Sequence, residues 1–140
     1  MADMFNPPDL WQPFGPFSVG CVQGGGHIVH LKGQISLGPD GGVVGPYDMR
    51  RQVRQVLENI QTALSYVGGQ MGDVISMTNF VTDMPAFLGA GDVRRAFLSP
   101  PYPVATTVQL ASLYRSELMV EIAAIAEIPR DRFVAPRITA

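Results

Sequence analysis

Between residues 47 and 67 the apolar side chains recur with a period that fits a helix lying against a partner layer. Val53, Val56, Leu57, Ile60, Leu64 and Val67 form one stripe, and Arg50, Arg51 and Arg54 fall to one side of it. Asp48 stands near the start, where a carboxylate suits the helix dipole, and Gly68-Gly69 closes the element. A helix with one apolar stripe draws most of its stability from the surface it covers. The fold therefore has to supply an apolar layer for Tyr47–Val67.

Strand-like runs on both sides supply it. Phe17–Val22 and His27–Ile35 precede the helix, and Gly24-Gly25-Gly26 between them permits a tight hairpin. Pro39-Asp40-Gly41-Gly42 marks a turn. Asp73–Thr82 follows the helix, with Val74, Ile75, Met77, Phe80 and Val81 making it apolar on both faces, as in a strand covered on both sides. Pro85–Leu98 reads as a second helix with Pro85 in its first turn, and Pro100, Pro101 and Pro103 break the chain. Val104–Leu113 and Leu118–Ile128 are the last strands, and the short link Tyr114–Glu117 predicts an antiparallel hairpin. Residues 1–16, with Pro7, Pro8, Pro13 and Pro16, read as extended and irregular, and residues 129–140 as a loose polar tail. The order ββαβαββ predicts an α+β domain spanning residues 1–140: a mostly antiparallel sheet with two helices on one face.

The chain has 140 residues, of which 46% are hydrophobic and only 16% charged. Soluble domains average about 25% charged residues, so part of this surface is expected to be covered by other subunits. The formal net charge of −2 disfavours nucleic acid as a partner. The single cysteine, Cys21, cannot close an internal disulfide and suits a reducing compartment. The N-terminal residues lack the pattern of a signal peptide and no run reaches the ~20 apolar residues of a membrane span, so a cytoplasmic location is expected. His27 and His30, three apart in a strand, point to opposite faces and make a poor chelating pair, so no metal is expected. Nothing in the pattern calls for a cofactor; the triple glycine lacks the Lys-Ser/Thr and helix of a phosphate loop.

Several segments together resemble the RidA (YjgF/L-PSP) family. They are Gly33-Gln34-Ile35, Gln55 to Ile60, Asp73 to Met84 and Val120 to Ala126, within a span of roughly Gly15 to Ala126. The resemblance implies a chorismate-mutase-like fold, a homotrimer with small-molecule clefts between subunits, and hydrolysis of reactive enamines and imines to ketoacids and ammonia. It also marks site positions. The family's carboxylate-gripping arginine falls at Ala105 in Pro103-Val104-Ala105-Thr106-Thr107, its early tyrosine at Phe17, and a frequent asparagine of the second helix at Gly91. The glutamate of its final strand is present as Glu121. Alanine offers no side-chain donor where a charge-assisted bidentate pair would form, which argues against the usual 2-iminopropanoate deaminase.

Each candidate also has a plain structural reading. Glu121 suits general acid–base work, or a hydrogen bond across a subunit contact. Thr107 offers a hydroxyl and a backbone N–H, or is a good strand former. Phe17 walls a cleft or fills a core; Gly33 lets a ligand approach the backbone or eases a bend. Arg115, in the late link, is the candidate replacement cation, or a solvated loop residue. If the last two strands pair, Ala105 and Thr107 on one and Glu121 on the other line one cleft. The expected activity is that of a divergent Rid-type hydrolase or tautomerising enzyme acting on a small metabolite. A non-catalytic trimeric binder and a ribonuclease or translation inhibitor are the alternatives.

Overall fold

The structure, a computed structural model, describes residues 1–137. In chain order its elements are β1 (Asp3–Phe5), β2 (Gly20–Val22), β3 (His27–Ile35), α1 (Met49–Tyr66), a 3-10 turn (Met71–Asp73), β4 (Val74–Val81), α2 (Met84–Gly89), α3 (Gly91–Phe97), β5 (Val104–Gln109) and β6 (Val120–Ile128). The main sheet has the order β3-β6-β4-β5. β6 runs antiparallel to both of its neighbours, and β5 runs parallel to β4.

The apolar stripe behaves as its period requires. Val53, Val56, Leu57, Ile60 and Leu64 are all fully buried. They join one core cluster with Met77 and Val81 of β4 and Val120, Ile122, Ala124 and Ala126 of β6. Burying each large aliphatic side chain contributes about 1.5–3 kcal/mol relative to exposure. Asp48 caps α1 by accepting from Arg51 N at 3.1 Å, and Gly68 follows the helix at φ 82°, a left-handed position that favours glycine.

Four sequence expectations are revised. The second helix is two short ones, meeting at Ala90 between Gly89 and Gly91, where helix propensity is low on both sides. The last two strands do not form a hairpin, because β6 inserts between β3 and β4 and leaves β5 at the edge. The reason lies in composition: β6 alternates fully buried aliphatics with half-buried residues, whereas β5 carries Thr106, Thr107 and Gln109 and tolerates solvent. The parallel β4–β5 pair needs a crossover, which α2 and α3 provide. Nor does β2 pair with β3; it pairs with β1, inside the segment expected to be irregular. The triple glycine serves a carboxylate instead, Gly24 N donating to buried Glu127 at 2.6 Å. Finally, the segment after Pro129 is anchored as far as Val134. Arg132 pairs with Asp73, Phe133 stacks on His27 at 4.0 Å, and Val134 N donates to Val67 O.

Candidate functional site

Four of the positions singled out in the sequence come together. Phe17, Gly91, Ala105 and Thr107 line one cleft of about 660 Å³ between the N-terminal segment, the crossover helices and edge strand β5. The N-terminal segment reaches β5 because Ser18 bridges to Val104, its N–H donating to Pro103 O at 2.9 Å and its hydroxyl to Tyr102 O at 2.5 Å. That tether brings an aromatic cluster to the cleft wall. Phe14 meets Phe17 edge-on at 5.2 Å, and Trp11 lies 5.7 Å and 6.1 Å from the two rings. Trp11 is 56% exposed and Phe14 83%, so the wall presents apolar surface to whatever enters.

The floor is β5. Ala105 contributes a methyl group alone, while Thr107 Oγ1 accepts from Nδ2 of buried Asn79 at 3.0 Å. That bond leaves the threonine hydroxyl hydrogen able to donate into the cleft. The same cleft is lined by two cations that sequence reasoning passed over, Arg94 and Arg95. Arg94 is half-buried, its guanidinium 4.3 Å from the Phe87 ring centre, and its buried Nε has no hydrogen-bond partner among the described residues. Burial, and then the neighbouring Arg95 charge, push its pKa down. The one local signal in the sequence was that Arg94 has no acidic residue three or four positions away along the helix.

Glu121 lies elsewhere. Thr107 pairs with Asn79, and Asn79 with Ile122, so these residues share the helix-covered face; Glu121, next to Ile122, points to the opposite face. The expected single cleft for Ala105, Thr107 and Glu121 therefore does not exist within one chain. On the open face Glu121 pairs with Ile35 and Phe80 and folds over Gly33, where a β-carbon would collide with its carboxylate and stand 2.9 Å from its Cγ. Glu121 and Gly33 thus meet on the open face, apart from the cleft that holds Ala105 and Thr107.

Arg115 does not stand beside Ala105. It is exposed at the rim of a different cleft of about 820 Å³ between β3 and α1, shared with Glu58 and Asn59, and makes one long contact, 3.5 Å, to Gly41 O. Arg50 is engaged by Asp92 through two hydrogen bonds of 2.9 and 2.7 Å. Burial, aided by Glu127 and Asp3, pushes the Cys21 thiol pKa up, which disfavours a reactive thiolate. Among the described residues, no three His, Cys, Asp or Glu side chains gather as a metal site would require, and no helix is long and apolar enough to cross a membrane.

With this geometry in view, the family model described as Endoribonuclease L-PSP matches residues 9–128. The chain belongs to this family, also called Rid or YjgF. A RutC family protein of Pyrococcus horikoshii is 32% identical over 126 residues, covering 90% of this chain and 98% of the relative. A conserved Rid-family protein of Yersinia pestis superposes with TM-score 0.77 at 26% identity, covering 91% of this chain and 98% of that one. The E. coli TdcF structure with bound serine superposes with TM-score 0.65 at 34% identity, covering 83% and 91%. The α+β, chorismate-mutase-like fold expected from the sequence is the Rid fold, with three helices rather than two.

Proposed function

We propose that this Rid-family protein is a divergent hydrolase of small imines or enamines, working in clefts between copies of the chain. The observation that carries the reading is the convergence of Phe17, Gly91, Ala105 and Thr107 on one cleft, while Glu121 and Gly33 form a half-site on the other face of the same sheet. Residues on opposite faces serve one substrate only if the open face of one copy meets the cleft of the next. The open face suits such contact, since Phe80, Ala123 and Ile125 are only half-buried on it. A homotrimer closes such a head-to-tail contact into a ring. The E. coli relative, crystallised with serine, supports a small amino-acid-like ligand.

In the reaction, Glu121 accepts a proton from water as the water oxygen adds to the imine carbon. Glu121 returns that proton to the nitrogen, giving a carbinolamine; it then takes the carbinolamine hydroxyl proton and passes it to the nitrogen as the C–N bond breaks, so ammonia leaves and a carbonyl product remains. Thr107 donates to a polar atom of the substrate and Phe17 walls its apolar side. With Ala105 in place of the clamp arginine, 2-iminopropanoate is not the preferred substrate. A cytoplasmic location fits this chemistry, which consumes reactive metabolites.

The test is ammonia release from imines generated in situ by an amino-acid oxidase, using wild type and Glu121→Gln, alongside sedimentation equilibrium. Loss of activity in Glu121→Gln together with a trimer is expected. Equal activity in the two proteins, or a monomer that is fully active, would end this reading. The absence of donors at both Ala105 and Phe17 favours a second reading, a trimeric binder without catalysis. It predicts small-molecule binding with no ammonia release from any imine tried.

A further inference from the structure

Resting on the placement of the site just proposed, the geometry points to Arg94, assisted by Arg95, as the anion clamp of the cleft, selecting carboxylates with an apolar or aromatic body. Three observations carry it. First, the two guanidinium groups gather over Gly91: a β-carbon there would stand 3.1 Å from Arg95 Nη1 and 3.6 Å from Arg94 Nη2. A side chain at position 91, such as asparagine, would occupy the space they use. Second, among the described residues neither arginine has an acidic partner. The ion pairs among the described residues join Arg50 to Asp92, Arg132 to Asp73 and the N-terminus to Glu127. Third, two like charges side by side, one half-buried with an unpartnered Nε, form an arrangement that a bound anion relieves. Arg94 is held over the Phe87 ring, so its planar fork is positioned before a ligand arrives.

The rest of the cleft decides what the anion is attached to. The same cleft is lined by Trp11, Phe14 and Phe17, and Met84 and Leu88 extend its apolar surface. Inorganic anions and two- or three-carbon acids would leave that wall uncovered. A carboxylate carrying a phenyl or branched-chain body would use both the cations and the apolar surface. The cation missing at Ala105 thus reappears on a helix that lines the same cleft.

Trp11 is the single tryptophan of the chain and lines the cleft, so its fluorescence reports occupancy directly. Phenylpyruvate, pyruvate and the neutral ketone phenylacetone are titrated against full-length wild type, Arg94→Met, Arg95→Ala and Arg94→Met/Ala105→Arg, with calorimetry in parallel. Arg94→Met keeps an apolar stem over Phe87, and melting temperatures check folding; exposed Arg95 gives a second variant that does not depend on that packing. Phenylpyruvate is expected to bind at least tenfold tighter than either other probe. Arg94→Met should weaken it about ten- to a hundredfold without changing phenylacetone binding. Arg95→Ala should weaken it less, and arginine at position 105 should restore part of the loss. Equal affinity for phenylpyruvate and phenylacetone, or for phenylpyruvate and pyruvate, overturns the inference. So does unchanged phenylpyruvate binding in both arginine variants. Those results leave the hydrolase reading standing, because that reading falls only with the Glu121→Gln and assembly measurements.

Discussion

Gln52 is a fully buried polar side chain in the otherwise apolar face of α1, and replacing it with leucine should cost more than any other substitution of similar volume on that helix. Its Nε2 donates to Gly45 O at 2.8 Å and Glu117 O at 2.7 Å, and its Oε1 accepts from Met119 N at 2.7 Å. One side chain thus ties the helix to the loop before α1 and to the segment that feeds β6 and Glu121. Leucine deletes all three bonds and strands the Met119 amide, whereas Gly45 O and Glu117 O keep their bonds from Asp48 N and Tyr47 N. At about 1 kcal/mol net per bond the loss is about 3 kcal/mol, and more if the stranded amide stays dry. Unfolding entropies of about 2.1 cal/mol/K per residue convert this to a fall of about 10 °C in Tm for a chain of this length. Urea unfolding followed by circular dichroism measures it, with protomer concentration held constant because assembly adds to apparent stability. Exposed Gln61→Leu is the control and should shift the midpoint little. A Gln52→Leu loss below about 1 kcal/mol at unchanged m-value would refute the reasoning, since the three bonds would then carry no net stability.

Two further outcomes follow from single contacts. Gly33→Ala puts a β-carbon into the Glu121 carboxylate, so it should lower imine hydrolysis sharply and cost about 1–3 kcal/mol of stability; wild-type kinetics in this variant would separate Glu121's position from its function. The Arg50 hydrogen bonds hold the Asp92 carboxyl down to about 2, below its unfolded value near 3.9, so the pair stabilises the fold above about pH 4 and loses that contribution as pH falls toward 2. The pair is exposed, so Asp92→Asn should lower Tm only slightly at neutral pH. The gap should close in acid, and a gap that widens as pH falls would contradict the assignment.

What could be read from the chain alone is what is local. The stripe from Val53 to Val67 announces α1 because helical period is a property of neighbours in sequence. The cores of β3, β4 and β6 show themselves by their runs of aliphatic residues. Gln52 was not marked out, although it stands four residues before Val56 on the buried side of α1, because its partners Glu117 O and Met119 N come from a segment that only the fold brings to it. The motif order from Gly33 to Ala126 carried the family and marked Ala105 as the changed position. Strand partnership was not legible, because pairing is set by which strand can be buried on both faces, and a short link between two strands does not oblige them to be neighbours. That error misplaced Glu121, which a single inserted strand moves to the opposite side of the sheet from Thr107. Arg115, near the site in sequence, is remote in space; Arg94, hidden in a charged stretch, faces the cleft because the helix breaks at Ala90. Local periodicity decided which elements form. The tertiary packing decided which charges they bring together, since a cleft is made of residues that only a folded chain places side by side.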